Sequence, residues 1–506
     1  MRHTTGIRAG IWLAMVALAP AVAVGQEQVL TKEYDNGGVY EGTFVDGRQH
    51  GQGTYRLPRG YEYTGQWVEG RIEGEGKATF PNGSVYVGHF LAGQPDGRGK
   101  ITYPDGGSYE GDWKEGGIEG EGVAIYPNGA RYEGSFVAGK QSGKGTLTEP
   151  GGLTYSGDWV DGVKTGKGRF TYPDGAVYEG DMAAGQPEGR GKLETADGTT
   201  YEGGWKAGRF DGDGVFVQPN GDRYEGAFKA GRREGLGRAT TAAGDVYDGG
   251  FVADQRSGAG TLTAKDGFRY TGGWAEGRFE GEGKATYPDG SVYEGAFKAG
   301  LPDGRGKIVY ADGRSFAGDW VAGAISGQGI ARYADGLTYE GSFHEGRNEG
   351  QGKLVSPDGY SYDGGWAQGQ RDGSGVAVYA DGTRYEGGFA SGQRSGQGRM
   401  QMPDGTVFEG TWKGGLLNGE GKATYADGSV YEGAFVDGRR QGQGRIRLTD
   451  GREYEGLWED GQPANGETAV PEAEATPPEP AGPAEPADPA EPPAPAEPQP
   501  ANGSSG

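Results

Sequence analysis

The chain has 506 residues, of which 109 are glycine and only 33% are hydrophobic, and its formal net charge is −23. Its length would suit roughly three globular domains, but so few apolar residues exclude a large continuous core. The sequence contains no cysteine, which excludes disulfides and a lipid-anchoring cysteine.

The first 25 residues predict a secretory signal peptide. Arg2, His3 and Arg8 precede an apolar run over residues 11–23 that is too short to span a bilayer. Cleavage signals end at Ala23 and at Gly25. We therefore expect an exported protein of the periplasm, cell envelope or extracellular space, with an uncleaved membrane anchor as the alternative.

Residues 29–466 are predicted to be one repeat array. Nineteen segments open on an aromatic residue followed two residues later by glycine, from Tyr40 to Tyr454, and every interval is 23 residues. Counting that aromatic as position 1, position 5 is Phe, Trp or Met, and glycines fill positions 12 and 14 in eighteen units. Such a period predicts small units that each contact only their neighbours.

Each unit is predicted to be a β-hairpin. In residues 109–129, "YEGDWKEGGIEGEGVAIYPNG", side chains alternate between two faces over both halves. Asn128-Gly129, which recurs as Asp-Gly or Asn-Gly in sixteen of nineteen copies, predicts a type I′ turn. Residues 116–120 make the other connection. The predicted fold is all-β: an elongated, single-layer, twisted ribbon of about nineteen antiparallel hairpins.

One face of this ribbon should carry an aromatic row. We expect rings at positions 1 and 5 to lie flat across the glycine at position 3, which would otherwise expose its backbone. This row is interpreted as structural, with an open binding groove as the alternative. It comprises Tyr63, Trp67, Tyr109, Trp113, Tyr155, Trp159, Tyr201, Trp205, Tyr270, Trp274, Trp320, Tyr362, Trp366 and Trp412.

The residues predict no catalytic, cofactor or metal site. Eighteen copies of G-x-G without a following helix argue against a phosphate loop. His3 lies in the predicted signal peptide, and His50, His89 and His344 lie far apart at different unit positions. Position 2 is acidic in fourteen units, and position 15 is basic in eleven of the first eighteen, which predicts cross-strand ion pairs. Calcium or a basic partner on the acidic stripe is the alternative interpretation.

Residues 467–506 form an acidic tail rich in Pro, Ala and Glu, with eight acids and no base. This composition predicts disorder with polyproline II character, because it offers too little apolar surface to bury. The tail is interpreted either as a spacer or as a binding segment.

The unit resembles the MORN repeat, whose signature is close to "YEGxWxxGxxxGxGxxxYxDG". Residues 293–313, "YEGAFKAGLPDGRGKIVYADG", match it nearly throughout. The resemblance covers residues 29–466. It implies groove-like arrays of β-hairpins that act as scaffolds, that dimerise in some members and that were named for suspected membrane contact.

We therefore expect a non-enzymatic scaffold of the cell envelope that binds an unknown protein partner. The alternatives are phospholipid or membrane-surface binding through the repeat groove, and cell-wall glycan binding on the aromatic face. The negative charge disfavours nucleic acid and leaves few basic clusters for anionic lipid. The edge strands near Val29 and Tyr454 predict weak homodimers.

Overall fold

The computed structural model of the chain describes residues 28–465, so the predicted signal peptide and tail lie outside the described residues. These residues form β-strands and turns and contain no helix. They divide into two compact units. The N-terminal unit comprises residues 28–196 with Trp205–Gly208, and the C-terminal unit comprises Asp197–Gly204 with residues 209–465.

The N-terminal unit contains fifteen complete strands. They are β1 (Gln28–Glu33), β2 (Val39–Val45), β3 (Arg48–Arg56), β4 (Glu62–Val68), β5 (Arg71–Thr79), β6 (Val85–Leu91), β7 (Gln94–Thr102), β8 (Ser108–Lys114), β9 (Gly117–Ile125), β10 (Arg131–Val137), β11 (Lys140–Thr148), β12 (Thr154–Val160), β13 (Val163–Thr171), β14 (Val177–Ala183) and β15 (Gln186–Glu194).

Strand β16 (Thr200–Lys206) contains residues of both units, and the remaining strands belong to the C-terminal unit. They are β17 (Arg209–Val217), β18 (Arg223–Lys229), β19 (Arg232–Thr240), β20 (Val246–Val252), β21 (Gln255–Thr263), β22 (Arg269–Ala275), β23 (Arg278–Thr286), β24 (Val292–Lys298), β25 (Leu301–Val309), β26 (Ser315–Val321), β27 (Ala324–Arg332), β28 (Thr338–His344), β29 (Arg347–Val355), β30 (Ser361–Ala367), β31 (Gln370–Val378), β32 (Arg384–Ala390), β33 (Gln393–Gln401), β34 (Val407–Lys413), β35 (Leu416–Thr424), β36 (Val430–Val436), β37 (Arg439–Arg447), β38 (Glu453–Glu459) and β39 (Gln462–Pro463).

Within each unit, strands that follow one another in sequence pair antiparallel, as predicted. In the repeat that begins at Tyr109, β8 and β9 place Tyr109 opposite Ala124 and Gly111 opposite Gly122. A β-bulge follows, because the register shifts between Gly111 and Trp113. The same pairing of positions 1 with 16 and 3 with 14 recurs along the chain, for example between β28 and β29. The 23-residue period is therefore one hairpin.

The turn at Asn128-Gly129 is not type I′, and this prediction was wrong. Gly129 N–H donates to the Tyr126 carbonyl over 2.8 Å, and Tyr126 N–H donates to the Ala130 carbonyl over 2.8 Å. Of the two turn residues only Gly129 has a positive φ, +85°. This is a three-residue loop, a type I turn closed by a left-handed glycine. Pro127 favours it, because proline pre-sets φ for the first central position of a type I turn.

The type I′ geometry occurs at the opposite end of the hairpin, at positions 7 and 8. Glu115 and Gly116 alone connect β8 to β9, with φ values of 47° and 79°. The connection predicted over residues 116–120 is thus shorter and earlier, and Gly120 belongs to β9. A non-glycine residue adopts a left-handed conformation at position 7 in nearly every unit, so this turn must be held by other contacts.

Position 11 supplies one of those contacts. Asp96 Oδ2 accepts the backbone N–H of Glu115 in the following repeat over 3.2 Å, and Glu119 Oε2 accepts that of Ala138 over 2.9 Å. The carbonyl of Pro95 accepts the N–H of Gly116 over 2.9 Å. Each turn is therefore fastened to the preceding repeat, and this is the physical role of the acid that precedes many G-x-G pairs.

The core of most repeats is a tyrosine ring on a pair of facing glycines; Phe316 replaces the tyrosine in one repeat, and in another Leu417, not the Phe408 ring, lies over Gly410 and Gly421. A Cβ added at Gly122 would lie 2.5 Å from Tyr109 Cζ, and one added at Gly111 would lie 2.5 Å from the Gly122 Cα. Tyr109 Oη donates to the carbonyl of Asp112 over 3.0 Å, at the bulge. The side chain is 2% exposed, and burial raises the pKa of Tyr109 to about 12, so the phenol stays a donor.

Rings at positions 1 and 5 meet edge to face, whereas the sequence predicted that both would lie flat on the position 3 glycine. Tyr109 lies 5.6 Å from Trp113 at 73° and 5.0 Å from Phe136 of the next repeat at 81°. The indole N–H of Trp113 donates to the Gly99 carbonyl over 3.1 Å. Tyrosine therefore covers the glycines while position 5 links consecutive repeats, an arrangement that suits the ring quadrupoles.

We predict that Gly122→Ala destabilises the protein by about 1–3 kcal/mol, because its methyl group must displace the Tyr109 ring in a packed core. Urea denaturation followed by tryptophan fluorescence measures the change. The control is Gly151→Ala, where no atom lies within 4 Å of the added Cβ and φ is not positive. We expect this control to be neutral or stabilising by up to about 1 kcal/mol. Equal loss in both variants would contradict the ring-on-glycine core.

Candidate interaction surface

The predicted aromatic row is buried. All fourteen side chains are between 0 and 7% exposed, so they form the core and do not line an open groove. They are Tyr63, Trp67, Tyr109, Trp113, Tyr155, Trp159, Tyr201, Trp205, Tyr270, Trp274, Trp320, Tyr362, Trp366 and Trp412.

The opposite face is polar and carries the predicted ladder of ion pairs. A basic residue at position 15 contacts the acid at position 2 of the next repeat, which lies directly opposite it in the strand register. The N–O distances lie between 2.9 and 3.7 Å. The pairs are Lys100–Glu110, Arg169–Glu179, Arg238–Asp248, Lys284–Glu294, Arg399–Glu409 and Lys422–Glu432.

A second ladder, which the sequence analysis did not identify, joins position 13 to position 4 of the next repeat. Lys144 Nζ lies 2.5 Å from Asp158 Oδ1, and Lys167 Nζ lies 2.5 Å from Asp181 Oδ1. Asp158 Oδ2 also accepts the backbone N–H of Lys167 over 2.9 Å, at the bulge. The Lys144 ammonium and this N–H hold the pKa of the Asp158 carboxyl below its usual value. The acids at position 4, such as Asp158 and Asp181, are the sequence signal from which this second ladder could have been predicted.

Where position 15 is valine, a different basic residue pairs with the position 2 acid. At Val123, Val215 and Val376 the following repeat has an arginine two residues before its position 2 acid, on the same face. The resulting pairs span 2.6–2.7 Å and are Arg131–Glu133, Arg223–Glu225 and Arg384–Glu386. The position 2 acid is therefore paired in these repeats too, and the ion pairs form a regular array over this face, which we call the charge lattice.

The charge lattice lacks ion pairs near Ala317 and Ile330. Ala317 stands where most repeats have an acid, and Ile330 lacks the compensating arginine. A shallow depression of about 570 Å³ lies there in the C-terminal unit, with Lys307 and Glu340 at its margins. It presents an apolar floor between charged side chains, so it is a candidate contact point for a partner.

The small basic clusters of the sequence, which are Lys140 with Lys144, Arg232-Arg233 and Arg439-Arg440, consist largely of buried or paired side chains. Arg440 is 2% exposed and stacks on the Trp458 ring, 4.5 Å from its centroid. Arg233 pairs with Asp254 over 3.3 Å. Three further cations are paired across repeats: Lys140–Asp161 at 3.6 Å, Lys144–Asp158 at 2.5 Å and Arg439–Asp460 at 3.6 Å. Few of these charges remain available to an anionic surface.

The terminal strands differ from the sequence expectation only at the C-terminal end. β1 pairs with β2 and exposes Val29 and Leu30, at 69% and 48%. The strand of Tyr454, β38, is partly covered by β39, which pairs with Trp458 and Glu459. Dimers formed through these edges stay a prediction.

Within residues 28–465, no group of three or more His, Asp or Glu residues could hold a metal ion. His50, His89 and His344 belong to different strands or repeats, and His3 lies outside the described residues. The same part of the chain has no helix long and apolar enough to cross a membrane.

We predict that the pKa of Asp158 lies below 3.8 in the folded protein and rises in Lys144→Gln, because the variant removes the neighbouring ammonium. Because its pKa is lower in the folded than in the unfolded state, the Asp158 carboxylate contributes its full stabilisation when the pH is above the unfolded-state pKa. That contribution is lost as the pH falls through the folded-state pKa. Carboxyl-carbon NMR titration measures both values. Asp181, which pairs with Lys167, is the internal control and should keep its lowered pKa. An unchanged Asp158 in the variant would contradict the assignment.

Comparison with protein families gives one assignment. The model described as the MORN repeat matches eighteen consecutive segments. These are residues 40–60, 63–85, 86–108, 109–131, 132–154, 155–177, 178–200, 201–223, 224–246, 247–269, 270–292, 293–313, 316–338, 339–359, 362–384, 385–407, 408–430 and 431–451. A search of curated proteins gives no significant match.

Solved structures share only weak similarity with the chain. The TCP domain of SAS-4 from Drosophila melanogaster, in complex with a proline-rich motif of Ana2, has a TM-score of 0.21 and 15% identity, covering 42% of this chain and 96% of that one. The TCP10 domain of CPAP from Danio rerio, in complex with a peptide of STIL, gives 0.15 and 15%, covering 54% and 96%. Virginiamycin B lyase from Staphylococcus aureus gives 0.11 and 11%, covering 56% and 95%. These TM-scores are too low to indicate a shared fold.

Proposed function

The chain belongs to the MORN repeat family, and from that premise we propose that it is a non-enzymatic scaffold that binds a protein partner in the cell envelope. One observation carries this proposal. The aromatic row is buried in the core, so the surface that recurs from repeat to repeat is a polar face with regularly placed ion pairs. Repeat arrays commonly use such extended surfaces for binding.

The partner surface that the charge lattice favours is itself polar and charged. Exposed ion pairs contribute only about 0–1 kcal/mol each to stability, so their regular placement is better explained by electrostatic complementarity to a partner. The depression around Ala317 and Ile330 adds an apolar point of contact within the charged lattice. Specificity would then come from where the lattice is interrupted.

The alternatives receive less support. Glycan binding on aromatic side chains needs accessible rings, and the aromatic row is buried. Binding to anionic lipid needs clusters of available Lys or Arg, whereas Arg440 is buried and Lys144 is paired. The envelope location rests on the predicted signal peptide, and we expect the mature protein from its own cells to begin after Ala23 or Gly25.

Photo-crosslinking in the native cells tests the scaffold function. Benzoylphenylalanine is placed at Thr64, Val87, Thr271 or Ala317, four position 2 sites that lack an acid, so no ion pair of the ladder is lost. We expect the same protein partner to be captured from one or more of these sites. The control is Leu153, which is half-buried on the aromatic side and should not capture that partner.

Failure to capture any protein from all four sites, at native abundance, would overturn the scaffold proposal. Flotation of the purified protein with zwitterionic and anionic vesicles addresses the lipid alternative. We expect the protein to stay at the bottom of the gradient with both vesicle types, and flotation would favour membrane-surface binding instead.

A further inference from the structure

One row of side chains on the charged face of the C-terminal unit changes character at its centre. Position 15 of each repeat lies opposite position 2 of the same repeat and of the next one in the strand register. From β24 to β29 this row consists of Glu294, Lys307, Ala317, Ile330, Glu340 and Lys353. Ala317 and Ile330 are the only two neighbouring apolar side chains of the row within the described part of the C-terminal unit.

The charged residues that flank this apolar pair, Lys307 and Glu340, are exposed and form no ion pair with any described residue. Glu294, which lies opposite Lys307, pairs with Lys284 over 3.7 Å instead. Lys307 and Glu340 are three strand spacings apart, which is about 14 Å. The surface therefore presents a positive charge at one end, an apolar centre, and a negative charge at the other end.

This row is complementary to itself under two-fold symmetry. A two-fold axis parallel to the strands, between β26 and β27, brings Lys307 opposite Glu340 of a second copy. The same axis brings Ala317 opposite Ile330 of the second copy, so that a small apolar side chain meets a large one. Two-fold dimers use interfaces that are self-complementary in this way.

The side chains beside the row are compatible with the same axis. On each side, the residues of β25 come opposite those of β28 in the second copy, and the residues of β26 come opposite those of β27. No two like charges meet over these strands. The pairs are Val309–Thr338, Ser315–Arg332, Arg305–Ser342 and Asp319–Gln328.

Other registers of the row do not give this match. A two-fold axis between β28 and β29 would place Asp363 against Ile330 of the second copy. An axis between β24 and β25 would place Lys284 against Ala317. Each of these registers buries a charge against an apolar side chain, which is costly. The apolar pair therefore selects one register of an otherwise repeating charge pattern.

We propose that a second copy of the chain binds this face, through a two-fold interface centred on Ala317 and Ile330. Sheets that pack face to face keep their strands nearly aligned, as this axis requires, and their twist limits the contact to a few strands on each side. The eight strands β23–β30, with three side chains across each, give about 600 Å² per copy. This area is at the lower end for a specific interface, so we expect a dissociation constant in roughly the micromolar range.

This inference rests on the proposed function, because it assigns one binding site on the charged face and names a second copy as the partner there. It concerns the face of the sheet and not the edge strands near Val29 and Tyr454. The rest of the charged face stays available to a different protein. A purified protein that stays monomeric would remove this inference alone, whereas capture of only this chain in cells would remove the binding of a different protein alone.

Sedimentation velocity of the purified protein, over concentrations that bracket the micromolar range, measures the dissociation constant. Lys307→Glu and Glu340→Lys each reverse one charge. Either variant alone brings like charges together at two contacts across the axis, so its dissociation constant should rise at least about tenfold. Mixed in equal amounts, the two variants are complementary at both contacts. With one variant fluorescently labelled, we expect a heterodimer of near-natural affinity.

Ala317→Glu tests the apolar centre. Position 2 is acidic in most repeats, so the hairpin accommodates the change, and the new carboxylate lies opposite Lys307 in its own copy. It would also lie against Ile330 of the second copy, so we expect at least about tenfold weaker association without loss of folding stability. The matched control is Lys422→Glu, the same charge change at position 15 outside β23–β30. It removes the ion pair with Glu432 but should leave the dissociation constant unchanged.

A protein that stays monomeric at every concentration would overturn the proposal. So would a mixture of Lys307→Glu and Glu340→Lys that does not associate, because the two-fold contact requires these variants to complement each other. A dimer that none of the variants weakens would lie at another surface. Equal weakening by Lys422→Glu would show that net charge governs association, and either result would likewise contradict the proposal.

Discussion

The contact between a tyrosine ring and two facing glycines is the constraint on which this structure depends. A single sheet has no second layer to cover its apolar face, so each repeat must bury its own rings. Glycine at positions 3 and 14 removes two Cβ atoms and brings the ring of position 1 onto bare backbone, as Tyr109 lies on Gly111 and Gly122. The density of glycine, which would weaken an ordinary strand, is here the complement of the ring.

The other regular features follow from placing that ring. Tyr109 Oη reaches the carbonyl of Asp112 because a bulge separates Gly111 from Trp113. The bulge also brings a position 4 carboxylate to backbone N–H groups, as Asp158 shows. Position 5 then extends to the preceding repeat, where Trp113 donates to the Gly99 carbonyl. Stability is thus built from identical contacts within a repeat and between neighbours.

Much of this architecture could be predicted from the sequence, because a 23-residue period with alternating side chains determines strands, faces and neighbours. The ion pairs were also predictable, since positions 2 and 15 meet across adjacent strands. The turns were not. Asn128-Gly129 alone favours a type I′ turn, but Pro127 before it favours a type I turn. Glu115-Gly116 carries no such sequence signal and adopts the type I′ conformation because the preceding repeat accepts a hydrogen bond from the Glu115 N–H. Whether the aromatic row is accessible could not be predicted from the sequence. The alternation of side chains shows which residues share a face of the sheet, but not whether other side chains cover them.

The most direct test of the ring-on-glycine core is the chemical shift of the glycine α-protons, because protons beneath an aromatic ring are strongly shielded. In the protein labelled at glycine, we predict a set of α-proton resonances far upfield of the ordinary glycine range, one group for each repeat whose position 1 ring covers its glycines. Tyr109→Leu should return the resonances of Gly122 to that range while leaving those of distant repeats in place. A spectrum without upfield glycine resonances, or one that Tyr109→Leu does not change, would contradict the account.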